Sequence, residues 1–341
     1  MNTERLIVTP PPHLSDPQTV AHAMRDVIIS LLPVTLTSVY FYRLNALFLI
    51  AVCVATAVIS DVVIRRVMGK SPTIRDGSAV VTGLLVALCF SPTGAWSWWT
   101  AALATFIGIA VAKEMMGGLG FNHFNPALFG RASVIVLAPL FVLLNPEFSE
   151  LAVRFPMPDA ISTATPMALL KQGTLGTAYY RLFVANAGGA LAETSALAVI
   201  LGGLYLYRRG HICWRIPVSV VGTVMVLTGL LGRDPVVHAL AGGLLFGGVF
   251  MATDWVTSPV TKKGKILFGT GIGVVVVIFR LFLGPVEGVA FGILIMNGFV
   301  PSIDAVTRRL RFGETPAAAT PVKQPVAAAV PVKQPLTSSS K

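Results

Sequence analysis

The chain has 341 residues, of which 54% are hydrophobic and only 12% are charged. Its mean hydropathy of +0.76 is too high for an ordinary soluble protein, so the composition indicates an integral membrane protein. The formal charge of +11 does not indicate a nucleic-acid partner, because the basic residues fall mostly in short connections between apolar runs. Membrane lipid is the partner that this composition implies.

Residues 1–22 are polar and rich in proline, without the apolar core or cleavage site of a signal peptide, and we interpret them as a tail. Apolar segments suited to crossing about 30 Å of hydrocarbon as helices follow. Ten of them are predicted, at about 25–43, 45–64, 77–92, 96–113, 124–144, 183–206, 215–232, 236–254, 266–283 and 286–302.

Basic residues follow every even-numbered segment. The second segment precedes Arg65 and Arg66, for example, and the eighth precedes Lys262 and Lys263. Since connections rich in Lys and Arg stay in the cytoplasm, both termini are predicted to be cytoplasmic and the 145–182 loop extracytoplasmic.

A weak internal repeat agrees with this layout. Arg75-Asp76 is followed by a Gly-Leu-Leu triplet and then by Ser-Pro. Arg233-Asp234 is followed by the same triplet and the same Ser-Pro pair. The two copies enter the membrane from opposite sides. The predicted fold is therefore an all-α polytopic membrane protein of about ten transmembrane helices in two inverted five-helix halves, residues 23–144 and 183–312.

The longest polar interruption is the 145–182 loop, which contains Ser162-Thr163-Ala164-Thr165 before Pro166. Pro166 is suited to a first helical position, so Thr165 is the predicted N-cap, where a phosphate ester would meet free N–H groups. The alternative is a plain surface cap. The stretch resembles the Ser-Gly-Ala-Thr motif of the RnfD and NqrB membrane subunits, whose last threonine carries FMN. Thr163 replaces the usual glycine.

Two further stretches resemble motifs of the same family. Residues 117–131 contain Asn122 and Asn125 in a glycine-rich turn before Pro126, and residues 253–259 contain Asp254 and Trp255. In each stretch the functional interpretation is a second flavin or ion site at a broken helix. The alternatives are tight helix packing with a capped re-entry for the asparagines and, for the Asp254 stretch, an interfacial cap with Trp255 as an interfacial aromatic anchor. For the Asp254 stretch we prefer the cap.

Few other residues suggest chemistry. Lys113-Glu114 is either a buried pair on an ion path or, as we favour, a solvated pair at a span end. His238 is expected to pack within a span with hydrogen bonds. No metal site, disulfide or catalytic residue is predicted, because Cys53, Cys89 and Cys213 are isolated. Residues 313–341, a repeat of Pro-Val-Lys-Gln-Pro among Ala and Ser, are predicted to be a disordered cytoplasmic tail.

The resemblance implies the RnfD-like subunit of an Rnf complex in the bacterial inner membrane. Such a subunit would relay electrons between ferredoxin and NAD, coupled to Na⁺ or H⁺ translocation. Its FMN would be tethered to Thr165 on the periplasmic side, and a second, noncovalent flavin of the riboflavin type would fit the same family. Its expected partners are RnfA, RnfB, RnfC, RnfE and RnfG. Two alternatives remain: a solute permease or channel with urea-transporter-like inverted repeats, and a purely structural subunit.

Overall fold

A computed structural model describes residues 19–71, 73–92, 97–144, 179–184, 189–283 and 288–308. The predicted flavin-attachment residues Ser162, Thr163, Ala164 and Thr165 lie outside these ranges, as do the 313–341 tail and most of residues 1–22. Within the described ranges the chain is helical and contains no strand, which confirms the all-α class.

Three helices are long and apolar enough to cross a membrane by length and composition. They are α1 (Val20–Val67), α10 (Lys262–Ile278, continued by a π-helix over Phe279–Leu283) and α11 (Gly288–Thr307). These helices indicate a multi-pass membrane protein. Helix α1 covers the first two predicted segments and is broken at Arg43, where φ is 50° and ψ is −129°. The boundary predicted between the first two segments, at residues 43–45, is therefore a kink within α1.

The remaining described helices are shorter. They are α2 (Ser78–Cys89), α3 (Ser97–Ile107, continued by a π-helix over Gly108–Met115), α4 (Pro126–Leu144), α5 (Tyr179–Val184), α6 (Ala196–Arg208), α7 (Arg215–Leu230), α8 (Pro235–Leu240) and α9 (Leu244–Phe246, continued by a π-helix over Gly247–Met251). Single 3₁₀ turns cover Ile74–Asp76 and Leu191–Glu193.

The sixth predicted segment, 183–206, is wrong over residues 189–195. Residues 189–195 are not α-helical, and α6 begins at Ala196 after an N-cap at Ser195, whose hydroxyl accepts from the Ala198 amide at 3.3 Å. Hydropathy alone does not separate these states, because residues 189–192 are buried just as a span would be.

Small residues let the helices approach closely. A Cβ added to Gly130 in α4 would lie 2.0 Å from the Ala104 carbonyl oxygen of α3, and one added to Gly202 in α6 would lie 2.1 Å from the Ser30 carbonyl oxygen of α1. Such contacts replace the hydrophobic driving force that helices lack in lipid.

Two segments that are not α-helical meet inside the protein. The Leu191 amide donates to the Phe90 carbonyl just after α2 at 3.0 Å, and the Ser38 hydroxyl of α1 donates to the Leu191 carbonyl at 2.8 Å. Irregular backbone survives at this depth only where protein groups satisfy it, and here they do. Helix α2 ends at this meeting point and is buried over nearly its whole length.

Candidate functional site

The described chain resumes at α5, after the predicted flavin-attachment stretch, and α5 packs against α8. The Tyr179 hydroxyl donates to Asp234 Oδ2 at 2.7 Å, while Leu182 packs with Val237 and Ala241. Partial burial would raise the pKa of Asp234, but the hydrogen bonds from Tyr179 and from two main-chain amides hold it below its ordinary value. The loop residues are thus followed by a segment anchored on α8.

The three predicted residues Asn122, Asn125 and Asp254 do come together, although 129 positions separate Asn125 from Asp254. Asn125 Nδ2 donates to the Met251 carbonyl at 3.3 Å, and the Asn122 side chain lies close to the Asp254 carboxylate. Asn125 Oδ1 also accepts from the amides of Ala127 and Leu128 at 3.0 and 3.3 Å, so it caps α4. The predicted helix start at Asn125-Pro126 is confirmed.

Asn297 of α11 completes this group, and the motifs did not reveal it. The side-chain oxygen of Asn297 accepts from the main-chain N–H of Asn125 at 3.2 Å. Its side-chain nitrogen donates to the carbonyls of Thr257 and Ile293 at 3.0 and 3.2 Å. The Thr257 hydroxyl in turn donates to Asp254 Oδ2 at 3.1 Å. A lone asparagine in an apolar span is itself a signal, since hydrocarbon offers it no partner.

We call Asn122, Asn125, Asp254, Thr257 and Asn297 the polar junction. It joins the start of α4, the end of the α9 π-helix and α11, and its asparagines are 3–5% exposed. Their amide groups bind main-chain groups at breaks in helices, so the capped re-entry is the role that the geometry supports. In the described ranges no group of three His, Cys, Asp or Glu side chains could hold a metal ion.

A small cavity of about 40 Å³ lies beside the polar junction, between α2, α4, the 189–193 segment, α9 and α11. Its walls are mostly apolar. They also carry Glu193, Gly242 and Arg131, whose guanidinium lies 5.4 Å from the centre of the Phe90 ring. We call it the central cavity.

The expectation of a solvated Lys113–Glu114 pair is wrong, since these side chains are 2% and 0% exposed. Lys113 Nζ donates to Asp61 Oδ1 at 2.9 Å and to Ser78 Oγ at 2.8 Å, while Glu114 Oε2 lies 3.0 Å from Arg65 Nε. Helices α1 and α2 close over the end of the α3 π-helix and exclude water from the pair. Asp61, a charged residue inside an apolar run, was the available signal.

A second buried cation lies on the α10 π-helix. Arg280 is 2% exposed and donates to the carbonyls of His238, Ala241 and Gly242 at the end of α8. His238 is buried as expected, but its predicted side-chain hydrogen bonds are wrong: neither ring nitrogen has a partner among the described residues. Its carbonyl, and not its ring, makes the contact.

Asp26 ties the start of α1 to the end of α6. Its carboxylate binds Tyr205 and Arg209 at 2.9 Å and the ring of His211 at 2.6 Å. Trp255, predicted as an interfacial anchor, is half exposed and donates its indole N–H to the His211 carbonyl. These contacts hold the 252–257 segment, and hence Asp254, against the α6–α7 connection.

Comparison with known proteins identifies the family. The model of the NQR2, RnfD, RnfE family matches residues 7–313. The D subunit of the Na⁺-translocating ferredoxin:NAD⁺ oxidoreductase complex of Acetobacterium woodii is 40% identical over 320 residues, 92% of this chain and 98% of that protein. The D subunit of the proton-translocating ferredoxin:NAD⁺ oxidoreductase complex of Clostridium ljungdahlii is 39% identical over 319 residues, 89% of this chain and 94% of that protein.

The D subunit of the ion-translocating oxidoreductase complex of Stutzerimonas stutzeri is 34% identical over 325 residues, 85% of this chain and 91% of that protein. The motif stretches around Asn122, Thr165 and Asp254 all lie inside the 7–313 match. Because the match spans most of the chain and the relatives align over nearly their whole lengths, the chain belongs to the NQR2, RnfD, RnfE family.

Proposed function

We propose that this protein is the FMN-carrying membrane subunit of an Rnf-type complex, which relays electrons between ferredoxin and NAD and couples this to Na⁺ or H⁺ translocation. The observation that carries the proposal is the near full-length match to the D subunits of two ferredoxin:NAD⁺ oxidoreductase complexes. One of these relatives is named for sodium and the other for protons, so family membership leaves the coupling ion open.

FMN, when bound, accepts and releases electrons singly or in pairs, and the protein supplies its position and surroundings. Thr165 would hold it through a phosphoester, with Ser162, Thr163 and Ala164 forming the rest of the attachment motif. Esterification through phosphate leaves the flavin ring unchanged, so Thr165 is a tether and not a catalytic base. The Tyr179–Asp234 contact supports this arrangement, because it anchors the chain fourteen residues after Thr165.

A second flavin of the riboflavin type would bind at the Asn122–Asp254 edge of the polar junction. Both ends of the Asn125 and Asn297 amides already have partners within the protein, so these side chains are less available to a ligand than Asn122. Asn122 makes one main-chain bond, to the Phe124 carbonyl at 3.3 Å, and sits beside the exposed residues Phe121 and His123.

The proposal includes the bacterial inner membrane as location, with both termini cytoplasmic and the flavin loop periplasmic. The other subunits RnfA, RnfB, RnfC, RnfE and RnfG are its partners, and RnfG would be the neighbouring flavin carrier. The permease alternative would leave the Ser162–Thr165 stretch without a role.

The test is flavin fluorescence on a denaturing gel, with protein purified from the native host. We expect fluorescence to stay with the band of the unmutated chain and of Thr163→Val, and to vanish with Thr165→Val. Loss only with Thr163→Val would move the tether by two residues. If the unmutated band is dark, the covalent flavin is refuted, and solute uptake by the protein in liposomes then tests the permease.

A further inference from the structure

Helices α7 and α10 lie side by side and run in the same direction. A Cβ added to Gly269 of α10 would lie 2.9 Å from the Ile216 carbonyl oxygen of α7, and one added to Gly273 would lie 3.1 Å from the Val220 carbonyl oxygen. Both helices advance by about one turn between these contacts, so they keep the same register. Their first turns therefore lie at the same level, on the side that the proposed function places in the cytoplasm.

Four basic side chains lie at these two helix starts. Arg215 begins α7, while Lys262, Lys263 and Lys265 lie at the start of α10. Neither helix has an acidic residue in its first turn. Helix dipoles favour anions at the start and cations at the end, so this placement is unfavourable unless negative charge comes from elsewhere. We call these four residues, together with Trp214, the basic seam.

The Cys213 thiol reports that the two helix starts are close to each other. Arg215 Nη1 donates to Cys213 Sγ at 3.3 Å. Burial would raise the pKa of this thiol, but the hydrogen bonds from Arg215 and the positive charges of Lys265 and Arg215 hold it below its ordinary value. A residue just before α7 is thus within reach of a charge on α10, as the helix register implies.

Among the described residues, the protein supplies no ion-pair partner to the basic seam. None of its four cations forms an ion pair with another described residue. Two carboxylates on neighbouring elements have other partners: Asp26 binds Arg209 and His211, and Asp304 accepts from the Val260 amide at 3.1 Å. The positive charge of the basic seam is therefore available to an anion from outside the chain.

Exposed apolar side chains continue from the basic seam along both helices. Val218 lies one turn after Trp214 in α7, and Ile266 directly follows Lys265 in α10; both apolar side chains are about half exposed. Trp214 is itself half exposed, with the Arg215 guanidinium 5.1 Å from the centre of its ring. Tryptophan and long basic side chains are typical of the level of lipid headgroups, and exposed apolar side chains beyond them face acyl chains.

An anionic phospholipid matches both parts of this surface. Its phosphate is attracted to cations at the headgroup level, and its acyl chains cover the apolar side chains next to them. The preference of Lys and Arg for the cytoplasmic side explains on which side these cations lie. It does not explain their position at two adjoining helix starts, where the dipoles oppose them.

We propose that the basic seam is a binding site for an anionic phospholipid such as phosphatidylglycerol. The phosphate lies beside Trp214, between Arg215 and Lys265, and an acyl chain follows Val218 and Ile266. This inference goes beyond the proposed function and does not depend on the flavin, so the gel test and the experiment below fail independently.

The experiment is native mass spectrometry of the purified full chain in a neutral detergent, with phosphatidylglycerol and phosphatidylcholine of the same acyl chains as probes. We expect phosphatidylglycerol to bind more tightly. The double variant Arg215→Gln/Lys265→Gln is expected to weaken its binding about 30-fold, since each cation near the membrane surface contributes similarly to the attraction, and to leave phosphatidylcholine binding unchanged. Inorganic phosphate should not compete, because it lacks acyl chains.

A matched control removes the same two types of charge elsewhere. Arg66→Gln/Lys70→Gln neutralises one exposed Arg and one exposed Lys at the end of α1, where the dipole favours cations, and should keep the affinity for phosphatidylglycerol. Gel filtration checks that each variant is folded.

A second measurement locates the lipid without changing any cation. Bromine on an acyl chain quenches the fluorescence of a nearby tryptophan, and the part of the quenching that Trp214→Phe removes belongs to Trp214. In phosphatidylcholine vesicles, a minor share of brominated phosphatidylglycerol is expected to quench Trp214 more than the same share of brominated phosphatidylcholine.

Four results would overturn the inference. Equal affinity of the unmutated chain for the two lipids would leave no site selective for anionic lipid. A folded Arg215→Gln/Lys265→Gln protein with unchanged affinity, or an equal loss in the α1 control, would show that these cations do not form the site. Full competition by inorganic phosphate would assign them to a free anion. If the double variant does not fold, the quenching decides, and equal quenching of Trp214 by the two brominated lipids would refute the site.

Discussion

The two deeply buried cations of the described chain are satisfied in different ways. Lys113 lies among carboxylates: Asp61 binds it directly and Glu114 is nearby, with Arg65 as the second cation of a nearly neutral network. Among the described residues, Arg280 instead hydrogen-bonds to main-chain carbonyls at the end of α8, and the Glu193 carboxylate is a nearby opposite charge. Lys113 is thus neutralised by a directly bound carboxylate, whereas Arg280 relies mainly on main-chain dipoles. Removing the Lys113 charge therefore leaves a directly bound carboxylate uncompensated, but removing the Arg280 charge does not.

The turns that lead into α2 and α8 are similar, although the two buried cations are bound differently. Asp76 Oδ1 accepts from the Ser78 amide at 2.8 Å, and Asp234 Oδ1 accepts from the Val236 amide at 2.9 Å. Asp234 is the N-cap of α8, and Asp76, one residue before the Gly77 N-cap of α2, likewise accepts from an amide in the first turn of its helix. The repeated Arg-Asp pairs have the same local role, which supports the proposal of two related halves, while the inverted arrangement itself stays a prediction.

The largest expected effect comes from Lys113→Met. Removing the ammonium takes the closest cation from buried Asp61, which keeps Arg65 at 3.8 Å, and breaking a buried ion pair destabilises by about 3–5 kcal/mol. Unfolding in detergent, followed by circular dichroism, measures this. The double variant D61N/K113M should recover at least half of the loss, because it removes the unpaired charge as well. No recovery would mean that Asp61 is not the partner that matters.

Arg280→Met is expected to cost less, about 2 kcal/mol, because carbonyls left behind are neutral and a buried charge is removed with the guanidinium. The same unfolding assay compares this loss in the free energy of unfolding with that of Lys113→Met. Equal losses for the two variants would contradict the difference inferred between pairing with a carboxylate and pairing with main-chain dipoles.

Ser78→Ala is expected to have a smaller effect, about 1 kcal/mol, the net value of a typical hydrogen bond. The hydroxyl accepts from Lys113 and donates to Asp76, but Lys113 keeps Asp61 as a partner. In the D61N background the same substitution should cost more, since Ser78 then provides a larger share of the ligands. Additive losses would show that the two ligands act independently.

The sequence predicts much of this architecture for physical reasons that act locally. Apolar length and backbone satisfaction predict helices, and the proline after Asn125 predicts the start of α4. The resemblance singled out Asn122, Asn125 and Asp254, and the structure brings these residues together. What sequence motifs imply about Thr165 lies beyond the described ranges.

Tertiary packing decides the features that sequence patterns missed. Lys113 and Glu114 look like a solvated end because a charged pair following an apolar run normally reaches water; they are buried only because α1 and α2 cover them. Asn297 joins the polar junction through contacts with residues 172 and 40 positions away. The π-helices at Lys113 and Arg280 leave no mark in hydrophobic periodicity, yet they aim both side chains inward.

The smallest expected effect lies at the aspartate that caps α8, and it depends on pH. The folded-state pKa of Asp234 is below its ordinary value of 3.8, so its contribution to stability is complete at neutral pH and is lost as the pH falls through the folded pKa. Tyr179→Phe removes one donor and moves that pKa upward. We therefore expect the variant to be slightly less stable at pH 7, with the difference shrinking below about pH 4. Thermal unfolding from pH 7 to pH 3 measures it, with the exposed Tyr207→Phe as control. A difference that grows on acidification would contradict the Tyr179–Asp234 bond and, with it, the anchoring of the segment that follows the proposed flavin-attachment stretch.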